Sequence, residues 1–149
     1  MDEINIKGVL LVNLKIINHP SGDILHAMKS TDDGFVGFKD AYFSTIHKGE
    51  IKGWKMHKKM TLNLIVPKGK VRFILFDNRM GTFSKTKYFS IVLSRKNYQR
   101  LTLPPGIWHA FRGEGKKENI ILNISDMNHD PKEILRKDIK SIPINWDRI

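Results

Sequence analysis

The sequence contains no cysteine. That excludes a disulfide framework and any metal centre built on thiolates. It has no long apolar run either; nothing approaches the roughly 20 residues a helix needs to cross a bilayer. The opening residues Met1–Asn5 are acidic and mixed, unlike a secretory leader. These absences set the expectation of a cytoplasmic enzyme or binding domain with no membrane partner. Acidic residues are scarce: 15 Asp and Glu stand against 26 Lys and Arg, a formal charge of +11. Such an excess suits an anionic partner, a phosphorylated small molecule among them, and equally a solvated Lys-rich exterior. Nucleic acid is not the expected partner, because the strands lack the interleaved aromatic and basic residues of a stacking platform. At 149 residues, one domain over 1–149 is expected, large enough for a real core.

Helical periodicity is scarce as well. The chain reads as short strands between Gly and Pro turns: Val9–Ile17, Ile24–Met28, Ala41–His47, Ile51–His57, Met60–Val66, Lys70–Asp77, Tyr88–Ser94, Gln99–Leu103, Ile107–Arg112 and Asn119–Ile124. Pro67-Lys68-Gly69 reads as a turn, and Asn78–Lys87 as a loop containing Gly81. Only Asp130–Lys137 reads as helix, with Asp130 as N-cap and Pro131 in the first turn. The pattern predicts an all-β sandwich or barrel with one short C-terminal helix.

The stretch Leu101–Arg112 carries the strongest local signal. Pro104 and Pro105 stiffen the chain and remove two ladder donors, and Gly106 permits a sharp bend. The strand that follows places His109 and Phe111 on one face, Trp108 and Ala110 on the other. An imidazole is thereby fixed just past a corner, where a barrel mouth would hold a site.

Two motifs resemble those of the cupins. Gly49, Lys55, His57, Leu62 and Gly69 fall in the spacing of the first cupin motif, with Lys for its first His and Leu for its Glu. Pro104-Pro105-Gly106-Ile107-Trp108-His109 is similar to the second. The resemblance implies a double-stranded β-helix, or jelly-roll barrel. Of the usual metal-binding set only His57 and His109 remain, beside a lysine, so no metal and no other cofactor is expected.

Further segments resemble the dTDP-4-dehydrorhamnose 3,5-epimerases and the related nucleotide-sugar 3,4-ketoisomerases: Ile51-Lys52-Gly53-Trp54, Gly69 through Arg79, Leu93 through Leu101, Leu103 through Phe111, and Asp130 through Trp146. The resemblance implies a nucleotide-linked 4-keto-6-deoxy sugar as small-molecule partner, a homodimer, and a part in surface polysaccharide synthesis. Lys55 stands where the epimerases carry their His base, and His57 matches the second His of the ketoisomerases. The epimerases' Tyr acid falls at Asn123, and Ser21-Gly22 replaces their diphosphate-binding Arg-Gly.

Such chemistry removes a proton beside a carbonyl, so it needs a base and a stabiliser for the enolate oxygen. His57 is the natural base near neutral pH, and His109 would orient or donate. Lys55 would act as a base if its pKa were lowered, would hold the enolate if charged, or would be a solvated strand residue. Asp138 would fix a histidine tautomer or would stand unpartnered near a helix end. Lys52, Lys58 and Arg112 are candidates for a diphosphate. Trp54 and Trp108 suit either the core or a sugar or base pocket. Asn63 and Arg72 lie on strands that would face the interior. The remaining alternative is a cupin that binds a sugar or sugar nucleotide without turning it over.

Overall fold

A computed structural model describes residues 4–80 and 87–149. The expected loop at Gly81 and the first three residues lie outside the described residues. The strands, in chain order, are β1 (Leu10–Asn13), β2 (Ile16–Ile17), β3 (Ile24–Leu25), β4 (Asp40–Ile46), β5 (Ile51–His57) and β6 (Leu62–Lys68). Then come β7 (Lys70–Asp77), β8 (Lys87–Ser94), β9 (Gln99–Leu103), β10 (Trp108–Gly113), β11 (Asn119–Ser125) and β12 (Ile134–Arg136). Two five-stranded sheets run β1-β9-β6-β11-β4 and β12-β5-β10-β7-β8, and β2 and β3 form a small ribbon. From β4 to β7 and again from β8 to β12, successive strands alternate between the two large sheets. This is the jelly-roll expected from the sequence.

Inward positions recur with period two, as strand geometry requires. Leu62, Leu64 and Val66 of β6, Leu101 and Leu103 of β9, and Ile121 of β11 meet Val71, Phe73 and Leu75 of β7 and Leu93 of β8 in the main core. A second core lies on the outer face of the β5-β10-β7 sheet. There Trp54, Ile74, Phe76, Trp108 and Ala110 are covered by Ile139, Ile142, Ile144 and Trp146 of the C-terminal segment. The outer face of the other sheet is covered in part by the segment around residues 26–34. Fully buried Arg100 anchors it through the carbonyls of Ala27 (2.9 Å) and Asp33 (2.8 Å).

Two differences from the sequence reading concern local geometry. The strand β6 runs through Pro67 to Lys68, so Gly69 alone makes the corner to β7. Gly69 has φ +82°, and an added Cβ would lie 2.5 Å from the Glu118 carbonyl oxygen. The expected C-terminal helix is one 3-10 turn, Pro131–Glu133, followed by β12. Asp130 and Pro131 do start a helical turn, with the Asp130 carboxylate accepting from the Lys132 N–H at 3.0 Å. Pairing of Ile134–Arg136 with the edge of β5 then draws the chain into the sheet.

Candidate active site

The corner at Pro104–Gly106 passes the chain from β9 in one sheet to β10 in the other. Its Gly106 N–H donates to the His57 carbonyl at 2.8 Å, tying the turn to the end of β5. On β10, His109 is then directly opposite Lys55 of β5, and Phe111 is opposite Lys52. The register shifts between these two pairs. The resulting β-bulge lets Lys52 and Lys55, three residues apart, face the same side. On the other flank of β5, Arg136 of β12 is opposite Lys55.

These residues form one wall of a pocket of about 190 Å³. Leu62, Leu64 and Phe111 supply its apolar part, and Tyr42, Ser44 and Asn123 line it from the β4-β11 side. The charged groups in its lining are Lys52, Lys55 and Arg136, and no carboxylate lines it among the described residues. Lys52 donates to the Thr45 carbonyl at 2.8 Å, which fixes its ammonium at the rim. Burial lowers the Lys55 pKa, and the neighbouring Arg136 guanidinium adds to this against the pull of Glu133. His109 is pushed down to about 3, by burial first and then by His57 and Lys55, so its imidazole is neutral at physiological pH.

Behind this wall the His57 and His109 rings stack at 6.0 Å between centroids, 16° from parallel. His57 Nδ1 is hydrogen-bonded to the Glu133 carboxylate. Burial lowers the His57 pKa more than Glu133 raises it, and Lys55 and Arg136 lower it further. The neutral ring therefore donates its Nδ1–H. Burial alone would raise Glu133, but the His57 hydrogen bond and the N–H groups of Lys59 and Met60 together hold it below its ordinary value.

The structure brings together Lys52, Lys55, His109 and Asn123 around the pocket, with His57 behind. The other candidates lie elsewhere. Asp138 caps the following 3-10 turn by accepting from the Lys140 N–H at 2.9 Å; the carboxylate on His57 is Glu133. Trp54 and Trp108 alternate to the far side of the sheet, where the Trp54 indole donates to the Ile139 carbonyl at 3.1 Å. Arg72 and Arg112, in register on β7 and β10, both bond Glu114 and hold the C-terminal residues, Arg112 through the Trp146 carbonyl at 3.0 Å. Asn63 faces outward on β6, accepting from Thr102 at 2.6 Å and donating to the Gly34 carbonyl at 3.1 Å. Lys58 is exposed and reaches the Lys132 carbonyl at 3.4 Å.

Four site residues were not singled out from sequence: Glu133, Arg136, Tyr42 and Ser44. The last two had a signal. Tyr42, Ser44 and Ile46 share one strand face, and Ile46 is an obvious core residue. Glu133 and Arg136 were hidden inside the stretch that read as helix.

The profile of the dTDP-4-dehydrorhamnose 3,5-epimerase family matches residues 3–149. The chain belongs to this family. It is 28% identical to a dTDP sugar isomerase from Desulfovibrio desulfuricans G20, with a TM-score of 0.93 over 100% of this chain and 97% of that one. A dTDP-4-dehydrorhamnose 3,5-epimerase from Bacillus anthracis, solved with TDP and PPi bound, is 18% identical with a TM-score of 0.84, over 97% of this chain and 87% of that one. A probable low-salt glycan biosynthesis epimerase, Agl13 of Haloferax volcanii, is 22% identical over 96% of each chain. With the two solved relatives the family member shares its jelly-roll, and the Lys55 pocket lies within the matched region.

Proposed function

We propose that this family member removes a proton beside the ketone of a nucleotide-linked 4-keto-6-deoxy sugar, without a metal, and that Lys55 is the base. The enzyme class follows from the family: the chain is a sugar-nucleotide epimerase or isomerase of glycan biosynthesis. The single observation that carries the assignment is Lys55 itself. Lys55 lines the pocket with His109 and Arg136 as its register partners on either side, and burial and Arg136 lower its pKa, which favours the neutral, proton-accepting form. A proton taken by this amine leaves an enolate, which Lys52 and Arg136 face as fixed cations. Neutral His109 positions the sugar, and the His57–Glu133 pair holds the rings from behind.

A homodimer belongs to the same reading. It is supported by Val36, Phe38 and Phe43, which are exposed apolar residues on and just before the edge strand β4. A cytoplasmic setting is proposed with it, in line with a cysteine-free chain.

The deciding experiment is solvent exchange. The protein is incubated in D₂O with dTDP-, UDP- and GDP-linked 4-keto-6-deoxy sugars, and deuterium at C3 and C5 is followed by NMR. Exchange that depends on the protein and is lost in Lys55→Ala but kept in His57→Ala is the expected result. Binding of every donor with exchange at neither carbon would leave only a sugar-nucleotide binder.

A further inference from the structure

Epimerisation needs a second group, because a proton removed from one face of a carbon must be replaced from the other. At the position where the family resemblance places a tyrosine acid, this chain has Asn123. An amide is far too weak an acid to serve, and the Asn123 Nδ2 is spent on Ser44 Oγ (3.0 Å) and on the carbonyls of Ile121 (3.2 Å) and Tyr42 (3.4 Å).

The phenol has not left the pocket. Tyr42 of β4 is the register partner of Asn123 of β11, so the two side chains leave the sheet on the same face. Both line the pocket, on the wall across from Lys55, His109 and Arg136. Tyr42 is 42% exposed, which places it at the mouth, where a substrate enters. Among the described residues its hydroxyl has no hydrogen-bond partner, while its backbone carbonyl is held by Asn123. Ser44, beside it, is too weak an acid, and the facing wall holds cations and a neutral imidazole.

Resting on the epimerase reading above, we propose that Tyr42 is the proton donor of this enzyme, the phenol having moved one strand sideways from β11 to β4. Lys55 breaks the C–H bond and keeps the proton, and the electron pair moves to the ketone oxygen. The enolate then collapses back to the ketone as the Tyr42 O–H gives its proton to the same carbon from the opposite face. A phenolate and an ammonium remain, and water returns the proton from one to the other. Burial, with the Asp40 carboxylate nearby, raises the phenol pKa, so Tyr42 keeps its proton until the enolate forms.

The test separates abstraction from delivery. With the sugar nucleotide that exchanges in wild type, Tyr42→Phe, Lys55→Ala and the double variant Tyr42→Phe/Asn123→Tyr are compared in D₂O. Both deuterium uptake and formation of the epimer are measured. The expected result for Tyr42→Phe is retained exchange with retained configuration and epimer formation down by about 100-fold or more. Lys55→Ala loses both, and the double variant, with a phenol restored on the register partner, recovers epimer formation. A merely structural role for Tyr42 would lower exchange and epimer formation together. Epimer formation by Tyr42→Phe within about threefold of wild type, on the same scale, overturns the assignment and leaves the Lys55 reading intact. Absence of exchange in wild type overturns both.

Discussion

His57 and Glu133, 76 residues apart in sequence, share a hydrogen bond in the interior between β5 and the turn before β12. Each is buried, His57 to 5% exposure and Glu133 to 3%. The second Glu133 oxygen accepts from the N–H groups of Lys59 (3.2 Å) and Met60 (3.3 Å). One carboxylate thus ties the end of β5 to β12, the edge strand that carries Arg136 into the pocket wall.

Removing that carboxylate would strand buried donors. Glu133→Ala leaves His57 Nδ1–H and two backbone N–H groups without an acceptor, at a cost of about 2–4 kcal/mol. Glu133→Gln keeps one acceptor oxygen but turns an NH2 group toward the other buried donors, and costs about 1–3 kcal/mol. Urea midpoints at constant m-value give both numbers.

Acid destabilises this fold through its histidines before its carboxylates. Unfolded histidine binds a proton as pH falls through about 6.5. Folded His109 stays neutral down to about 3, and folded His57 is also lowered. Below about pH 6.5 the unfolded state therefore binds more protons, and stability falls with pH by about 1.4 kcal/mol per unit for His109, with His57 adding to the decline. Glu133, lowered in the fold, contributes fully above its ordinary range and loses that contribution only at lower pH. Stability measured from pH 8 to 5 should decline, and His109→Asn should lessen the slope. A flat profile in the wild type would refute the buried neutral imidazoles.

Much of the site was readable because it rests on period two and on Gly and Pro. Lys70–Asp77 and Gln99–Leu103 match their strands end for end, and the Pro104–Gly106 corner fixes His109 as expected. Strand alternation decides which side of a sheet a residue faces. It set Trp108 opposite His109 from the sequence, and of the two readings open for Trp54 and Trp108 the structure takes the core. Arg72 and Arg112 turn away from the pocket, to Glu114 and the C-terminal residues. Glu133 was missed because Asp130-Pro131 gives a genuine helix start, while its termination after one turn is a tertiary effect of β12 pairing with β5.

That geometry separates stability from binding. Trp108 is 4% exposed in the outer core, under the Lys137 ammonium at 4.8 Å. Trp108→Ala should cost about 3–5 kcal/mol, and Trp108→Phe should leave sugar-nucleotide affinity unchanged at a smaller stability cost. Lys52, exposed at the pocket rim, should behave in the opposite way. Lys52→Ala should weaken binding of the anionic donor while stability stays within about 0.5 kcal/mol. Thermal melts beside calorimetric titration would show either pattern.

After burial, the charge on Arg136 is the next cause that lowers the Lys55 pKa, and this makes the proposed role of Lys55 testable. The two residues are register partners, and the guanidinium is one of the causes that lower the lysine. A lysine base is active once deprotonated, so kcat/KM should rise with pH and level off above its lowered pKa. Arg136→Met removes a like charge, so the Lys55 pKa climbs and the acidic limb of the profile moves to higher pH, with the rate at neutral pH reduced. Lys55→Arg should fall by about 10²–10⁴-fold at every pH, since a guanidinium cannot give up its proton. If the limb stayed in place in Arg136→Met, Lys55 would not be the titrating base.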